Sequence, residues 1–197
     1  MTKYERLNDM LDRGNGYITS SAVAAAGISR TYLAKFIKEN RLEQVSHGIY
    51  VREDCFPDEL FILQNAYPKV IFSGETALDL NGLIDREYSG IYVTVPQKFN
   101  GSRLRKRNIH VHQEKDEIYE LGQMVIITKL GNPVRTYDRE RCVCDLVKNR
   151  EKTEAQNFQT AIKEYMGSND KNLSKLIQYA KVLNIRDEVM KYVEVLI

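Results

Sequence analysis

Between residues 3 and 13 the apolar positions Tyr4, Leu7, Met10 and Leu11 recur at helical spacing among charged neighbours. That period predicts an amphipathic helix, and Gly14-Asn15-Gly16 ends it. Thr19, Ser20 and Ser21 follow, hydroxyl residues that can accept hydrogen bonds from the free N–H groups of a helix start. The alanine-rich run from Ala22 to Ala26 is small enough for another helix to approach closely. Gly27 supplies a sharp turn, because glycine takes a left-handed backbone at little cost. Ser29 then caps a second helix, from Arg30 to about Asn40.

On a wheel of about 100° per residue, Leu33, Phe36 and Ile37 of that second helix fall together as a buried stripe. Thr31, Lys35 and Lys38 fall together on the opposite side, flanked by Tyr32 and Glu39 on one edge and Arg30 on the other. An ordinary amphipathic surface helix has the same division. The order of short helix, glycine turn and capped helix is more particular: it is the helix-turn-helix arrangement, whose second helix reads the major groove. Leu42, Val45, Ile49 and Val51 then sit among polar residues around His47-Gly48. They predict two short strands and a tight turn, placed where the wing of a winged helix-turn-helix belongs. Wings usually touch the phosphate backbone, which makes His47 and Arg52, with Ser46 beside them, candidate contacts. The first domain is read as residues 1–54, with the first helix packing on Val23, Leu33 and Ile37.

From Pro57 the pattern mixes periods. Pro57-Asp58-Glu59 is a helix start, with Leu60, Phe61, Leu63 and Tyr67 as its buried side. Val70-Ile71-Phe72 is a short strand, and Ser73 with Glu75 or Thr76 opens a helix ended by Asn81-Gly82. Strands are predicted at residues 91–95, 109–112, 124–128 and 133–137 from their β-branched and aromatic content. From Asp138 the period is helical to the end, with helices marked by Val143, Leu146 and Val147, by Phe158, Ala161, Ile162 and Tyr165, by Leu173, Leu176 and Ala180, and by Val189, Tyr192 and Val193. Residues 55–197 therefore read as an α+β domain, a small sheet with helices before and after it, and the whole chain as α+β.

Composition narrows the classes. The chain has 197 residues, 43% of them hydrophobic and 28% charged, which suits folded domains rather than a disordered tail. Net charge is only +2, so any nucleic-acid affinity rests on local patches. No apolar run approaches the roughly eighteen residues of a membrane span, and no signal-peptide core follows Met1. Three cysteines, an odd number, argue against a secreted disulfide framework. A cytoplasmic location is expected, with no membrane partner.

Three segments in order carry a family resemblance after the winged helix-turn-helix: Ser73-Gly-Glu-Thr-Ala-Leu-Asp-Leu-Asn-Gly-Leu83, Ile91-Tyr-Val-Thr-Val-Pro96 and Tyr137-Asp-Arg-Glu-Arg-Cys-Val-Cys-Asp-Leu-Val147. Over nearly its full length the chain resembles the AbiEi antitoxins of type IV abortive-infection toxin–antitoxin systems, which serve in phage defence. The resemblance implies two jobs: repression of the system's own promoter at inverted repeats in double-stranded DNA, and neutralisation of a cognate nucleotidyltransferase toxin without need of a stable complex. It carries no catalytic signature onto these residues, and no enzyme activity and no cofactor are expected. The alternative is a stand-alone winged helix-turn-helix regulator whose second domain senses a ligand or mediates dimerisation. A nuclease built on the α+β domain is a further rival.

The densest charge is Lys98 to Arg107, with Arg103, Arg105, Lys106 and Arg107 and no acid among them. Gly101 and Asn100 place it on a loop. Such a run is often just solvated, but phosphate neutralisation is the alternative, because the first domain has little excess charge of its own. The expected DNA contacts are thus Arg30, Thr31, Tyr32, Lys35, Lys38, His47, Arg52, Arg103, Arg105, Lys106 and Arg107. His110-x-His112 and Cys142-x-Cys144 have no common zinc spacing, and on a helix the two thiols would diverge by about 200°. No metal site is expected there. Asp138, Glu140 and Asp145, beside Arg139 and Arg141, are read as structural ion pairs, with Arg141 and Asp145 at helical i,i+4 spacing.

Overall fold

The computed structural model describes residues 2–85 and 90–196. Helix α1 (Lys3–Arg13) opens on a capping box in which Thr2 and Glu5 satisfy each other's backbone N–H groups. Strand β1 (Tyr17–Thr19) follows the glycine turn, and Thr19 caps α2 (Ser20–Ala25) by accepting from the Ala22 N–H at 3.2 Å. Gly27 has φ +72°, and around it the Ile28 and Gly27 N–H groups return to the Val23 and Ala24 carbonyls. This closes the last turn of α2 and aims the chain into α3 (Arg30–Glu39), capped by Ser29.

Strands β2 (Glu43–Ser46) and β3 (Ile49–Val51) form a hairpin turned by His47-Gly48, with a bulge between Gln44 and Ser46. Strand β1 pairs antiparallel with the other side of β3, giving the sheet order β1-β3-β2. The hydrophobic pattern does not announce β1. It is three residues long, and its pairing lies beyond both helices of the motif. Leu7, Leu11, Ile18, Val23, Ile28, Leu33, Phe36 and Leu42 make one core, with Tyr4 edge-on to Phe36 at 5.1 Å.

Tyr17, Ile49 and Val51 make a second core, against which Phe61, Ile62 and Ala66 of α4 (Glu59–Ala66) pack. This apolar face ties α4, which follows Asp54 in the chain, to the hairpin. The first compact unit comprises Met1–Pro68 with Ile127–Val134. Within it Asp58 caps α4 through the Phe61 N–H at 3.1 Å and also accepts from Thr128 and from Asn132 Nδ2.

The second unit comprises Lys69–Ile126 with Arg135–Ile197. Its elements are β4 (Ile71–Phe72), α5 (Gly74–Leu80), β5 (Tyr92–Pro96), α6 (Ser102–Arg105), β6 (His110–Glu114), α7 (Asp116–Tyr119), all but the last residue of β7 (Gln123–Ile127), the last three residues of β8 (Pro133–Tyr137), α8 (Arg139–Lys148), α9 (Ala155–Gly167), α10 (Leu173–Val182) and α11 (Arg186–Leu196). The sheet order is β6-β5-β4-β8-β7. Strand β5 runs antiparallel to β4 and parallel to β6, and β4 runs parallel to β8. The core joins Ile71 and Tyr137 of the sheet to Leu78, Val143, Phe158, Tyr165, Leu176 and Val189 of the helices. The mixed α+β reading of both halves holds. Ser73 stands at the start of α5 as expected, without a side-chain cap, and Thr76 accepts from the Tyr92 N–H at 2.9 Å. One local expectation does not hold: the loop expected around the basic run holds the short helix α6, pinned by the buried Leu104.

Helix α8 places charge inside. Asp138 caps it through the Arg141 N–H at 2.8 Å and accepts from Tyr179 and Lys175. Arg141, only 1% exposed, donates to Asp145 at 2.9 Å and to the Ile118 and Leu121 carbonyls, with its guanidinium 4.4 Å from the centre of the Tyr137 ring. These are the structural ion pairs the spacing predicts. Burial pushes the Cys142 thiol well above its ordinary range and that of Cys144 to about 12, so both are neutral thiols at physiological pH.

Candidate nucleic-acid interface

Helix α3 sorts its side chains by period. Leu33 and Phe36 are buried and Ile37 is partly buried, while Arg30, Thr31, Lys35 and Lys38 are exposed together on the opposite face. Glu39 sits 3.7 Å from Lys35 on that surface. Tyr32 differs from its companions: it is half-buried against the helical core, with the Lys3 amine 5.9 Å from its ring centre.

The wheel passes over one member of this face. Ala34 is exposed and lies about 60° from Thr31, inside the arc that also holds Lys35 and Lys38. A methyl group among donors lets a base edge come close and suits contact with a thymine methyl. The signal was present in the period, but an alanine does not stand out when charge is sought.

The wing is where the sequence predicts it. His47 is exposed at the hairpin turn and Gly48 takes φ +70°, its carbonyl accepting from the Ser20 N–H at 2.8 Å. That bond fastens the wing to the start of α2. Ser46 ends β2 and is half-buried. Arg52 follows β3 and is held in an ion pair with Asp12 of α1, both side chains at the surface. Exposed pairs of this kind contribute little to stability, so Arg52 can exchange its carboxylate for a phosphate at small cost.

Arg103, Arg105, Lys106 and Arg107 belong to the second unit, where α6 and the turn after it bring all four to the surface. Leu104 and Ile109, both buried, hold this turn against the sheet. His110 and His112 share a face of β6. His110 stacks on Tyr92 and His112 lies 3.5 Å from Glu114. Among the described residues no group of histidine, cysteine and acidic side chains is arranged to hold a metal ion, and no helix is long and apolar enough to cross a membrane.

Two short helices joined at a glycine, the second with an exposed basic face and a hairpin directly after it, define the first unit as a winged helix-turn-helix domain. Residues 5–52 match the family described as the transcriptional regulator AbiEi antitoxin, so the similarity to an AbiEi-type regulator lies in this first part of the chain. Among solved structures, the RV2827C protein from Mycobacterium tuberculosis is similar over 92% of this chain and 72% of its own, at 12% identity and a TM-score of 0.53. At that identity the likeness is one of fold. A search of curated protein sequences finds no match.

Proposed function

We propose that this protein is a type IV antitoxin that represses its own promoter by binding inverted repeats and neutralises a cognate nucleotidyltransferase toxin. The observation that carries the first half is the outward face of α3, where Arg30, Thr31, Lys35 and Lys38 stand exposed together beside a wing. Thr31, Lys35 and Lys38 read base edges, with Arg30 and Tyr32 beside them. His47 and Arg52 contact phosphates, and the basic turn at Arg103, Arg105, Lys106 and Arg107 adds charge to the same duplex. The second half rests on the AbiEi-type match of residues 5–52, and the antidote is assigned to the domain that follows. The protein works in the cytoplasm, where both its promoter and the toxin are found.

One experiment separates the two jobs. The toxin is expressed from an independent promoter, alongside either the full-length protein or its Thr31→Ala/Lys35→Ala/Lys38→Ala variant, while a reporter follows the native promoter. The wild type should restore growth and silence the reporter; the variant should restore growth and leave the reporter on. No rescue by soluble wild type would sink the antitoxin reading. Silencing by the variant would remove α3 as the reading helix.

A further inference from the structure

The second unit contains a cleft that neither role uses. It encloses about 370 Å³, bounded by the start of α5, one face of β5 and β6, the C-terminal half of α8 and the turn after it. That size falls in the usual range of small-molecule pockets. Strand pairing sets Tyr92 opposite His110, Thr94 opposite His112 and Pro96 opposite Glu114. Since side chains alternate along a strand, Tyr92, Thr94, His110, His112 and Glu114 share the face that lines the cleft.

One part of this face is flat. The Tyr92 and His110 rings stack with centroids 4.2 Å apart and planes within 13°. Gly74 lies close against this pair: a Cβ there would stand 3.2 Å from Tyr92, tighter than ordinary van der Waals contact. Stacked rings at a cleft wall offer a platform to another planar group, and a nucleic-acid base is the common biological one.

The other part is cationic at its mouth. The cleft's acids are largely spent inside the fold: Asp145 is paired with Arg141 at 2.9 Å, and Glu75 accepts from Asn157 at 3.0 Å. Glu114 is ringed by His112, Lys148 and Arg141 at 3.5, 3.9 and 4.0 Å. Burial works against its charge, but the Lys115 N–H, Lys148 and His112 outweigh that and hold the carboxyl below its ordinary range. Lys152 is exposed and makes no ion pair among the described residues, and the Lys148 side chain is 39% exposed. From His110 to Glu114 the strand advances about 13 Å, enough for a base, a sugar and a phosphate laid end to end.

We propose that this cleft binds a nucleotide, with its base against the Tyr92–His110 pair and its phosphate held by Lys148 and Lys152. The site lies within the second unit and stands whether or not the chain is an antitoxin. Its test is calorimetric titration of the full-length protein with AMP, GMP, CMP and UMP, with the matching nucleosides and inorganic phosphate as controls. At least one nucleotide should saturate a single site, and His110→Ala and Lys152→Ala should each weaken it by about ten-fold, the scale of a single interaction. Both positions are exposed, and an unchanged melting temperature confirms that the variants fold. The proposal is overturned if no nucleotide binds at millimolar concentration. It is equally overturned if both variants bind like wild type, or if nucleoside or phosphate alone binds as tightly as the nucleotide.

Discussion

Helices α3 and α8 are alike in length and in how they begin, yet they use charge in opposite ways. Each is ten residues long and capped by a side chain, Ser29 on the Tyr32 N–H and Asp138 on the Arg141 N–H. In α3 the charged residues Arg30, Lys35 and Lys38 are exposed and the stripe beneath is apolar. In α8, Arg141 and Glu140 are buried, the first bonded to Asp145 and the second to Tyr165. A charge that the fold has already satisfied explains itself. A face of exposed cations that no described residue covers leaves room for a partner, and that contrast supports the proposed recognition by α3 and an architectural part for α8.

The contrast breaks most visibly at Arg141. Arg141→Ala leaves Asp145 without its partner, removes the donors to the Ile118 and Leu121 carbonyls and opens a gap beside Tyr137. Removing one member of a buried pair costs about 3–5 kcal/mol, and denaturant unfolding should show a loss of that order. A loss well under 1 kcal/mol would mean that the guanidinium is not structural. The same substitution at Lys35 should leave stability unchanged, because its pairing with Glu39 is at the surface.

Lys35→Ala acts instead on DNA. If Lys35 contacts a base edge, the variant should lose about 1–3 kcal/mol on the promoter site and much less on random sequence. Fluorescence anisotropy on both duplexes decides it, and equal losses would demote Lys35 to a phosphate contact. The basic turn predicts a different signature. Replacing Arg103, Arg105 and Arg107 together with alanine should weaken every sequence alike. It should also reduce the salt slope of log K by about 0.9 for each phosphate that is no longer neutralised. An unchanged slope would take this turn out of the interface.

What the sequence made legible was local. The period of α3, the turn at Gly27, the cap at Ser29 and the hairpin at His47-Gly48 each depend on residues within a few positions, and each is where the pattern puts it. The strands of the second unit were legible for the same reason, since β-branched runs between breakers need no knowledge of their partners. What stayed hidden depends on distant pairing. Strand β1 exists because β3 lies beside it. Residues 127–134 belong to the first unit because Thr128 and Asn132 bond to Asp58, some 70 and 74 positions away. The cleft is hidden likewise: Tyr92, His110 and Lys152 meet only after β5, β6 and the end of α8 are folded together. Ala34 was missed for another reason, since a small side chain on a charged face carries no weight in a search for charge.

The finest test of the contrast lies at Arg52, a candidate contact of the first unit that, like Lys35, has a carboxylate partner and so behaves in part like a residue of α8. Asp12 and Arg52 are both at the surface, where such a pair contributes only about 0.2–1 kcal/mol. Asp12→Asn removes the competing carboxylate and leaves the guanidinium ready for a phosphate. If Arg52 touches the backbone, this variant should bind any duplex a little more tightly, by no more than about five-fold. The gain should shrink as salt rises, since it is a phosphate contact that is being freed. Arg52→Ala should reverse the gain and weaken specific and random DNA equally. If neither substitution changes affinity at any salt concentration, Arg52 is spoken for by Asp12, and the proposed wing contact falls to His47 and Ser46.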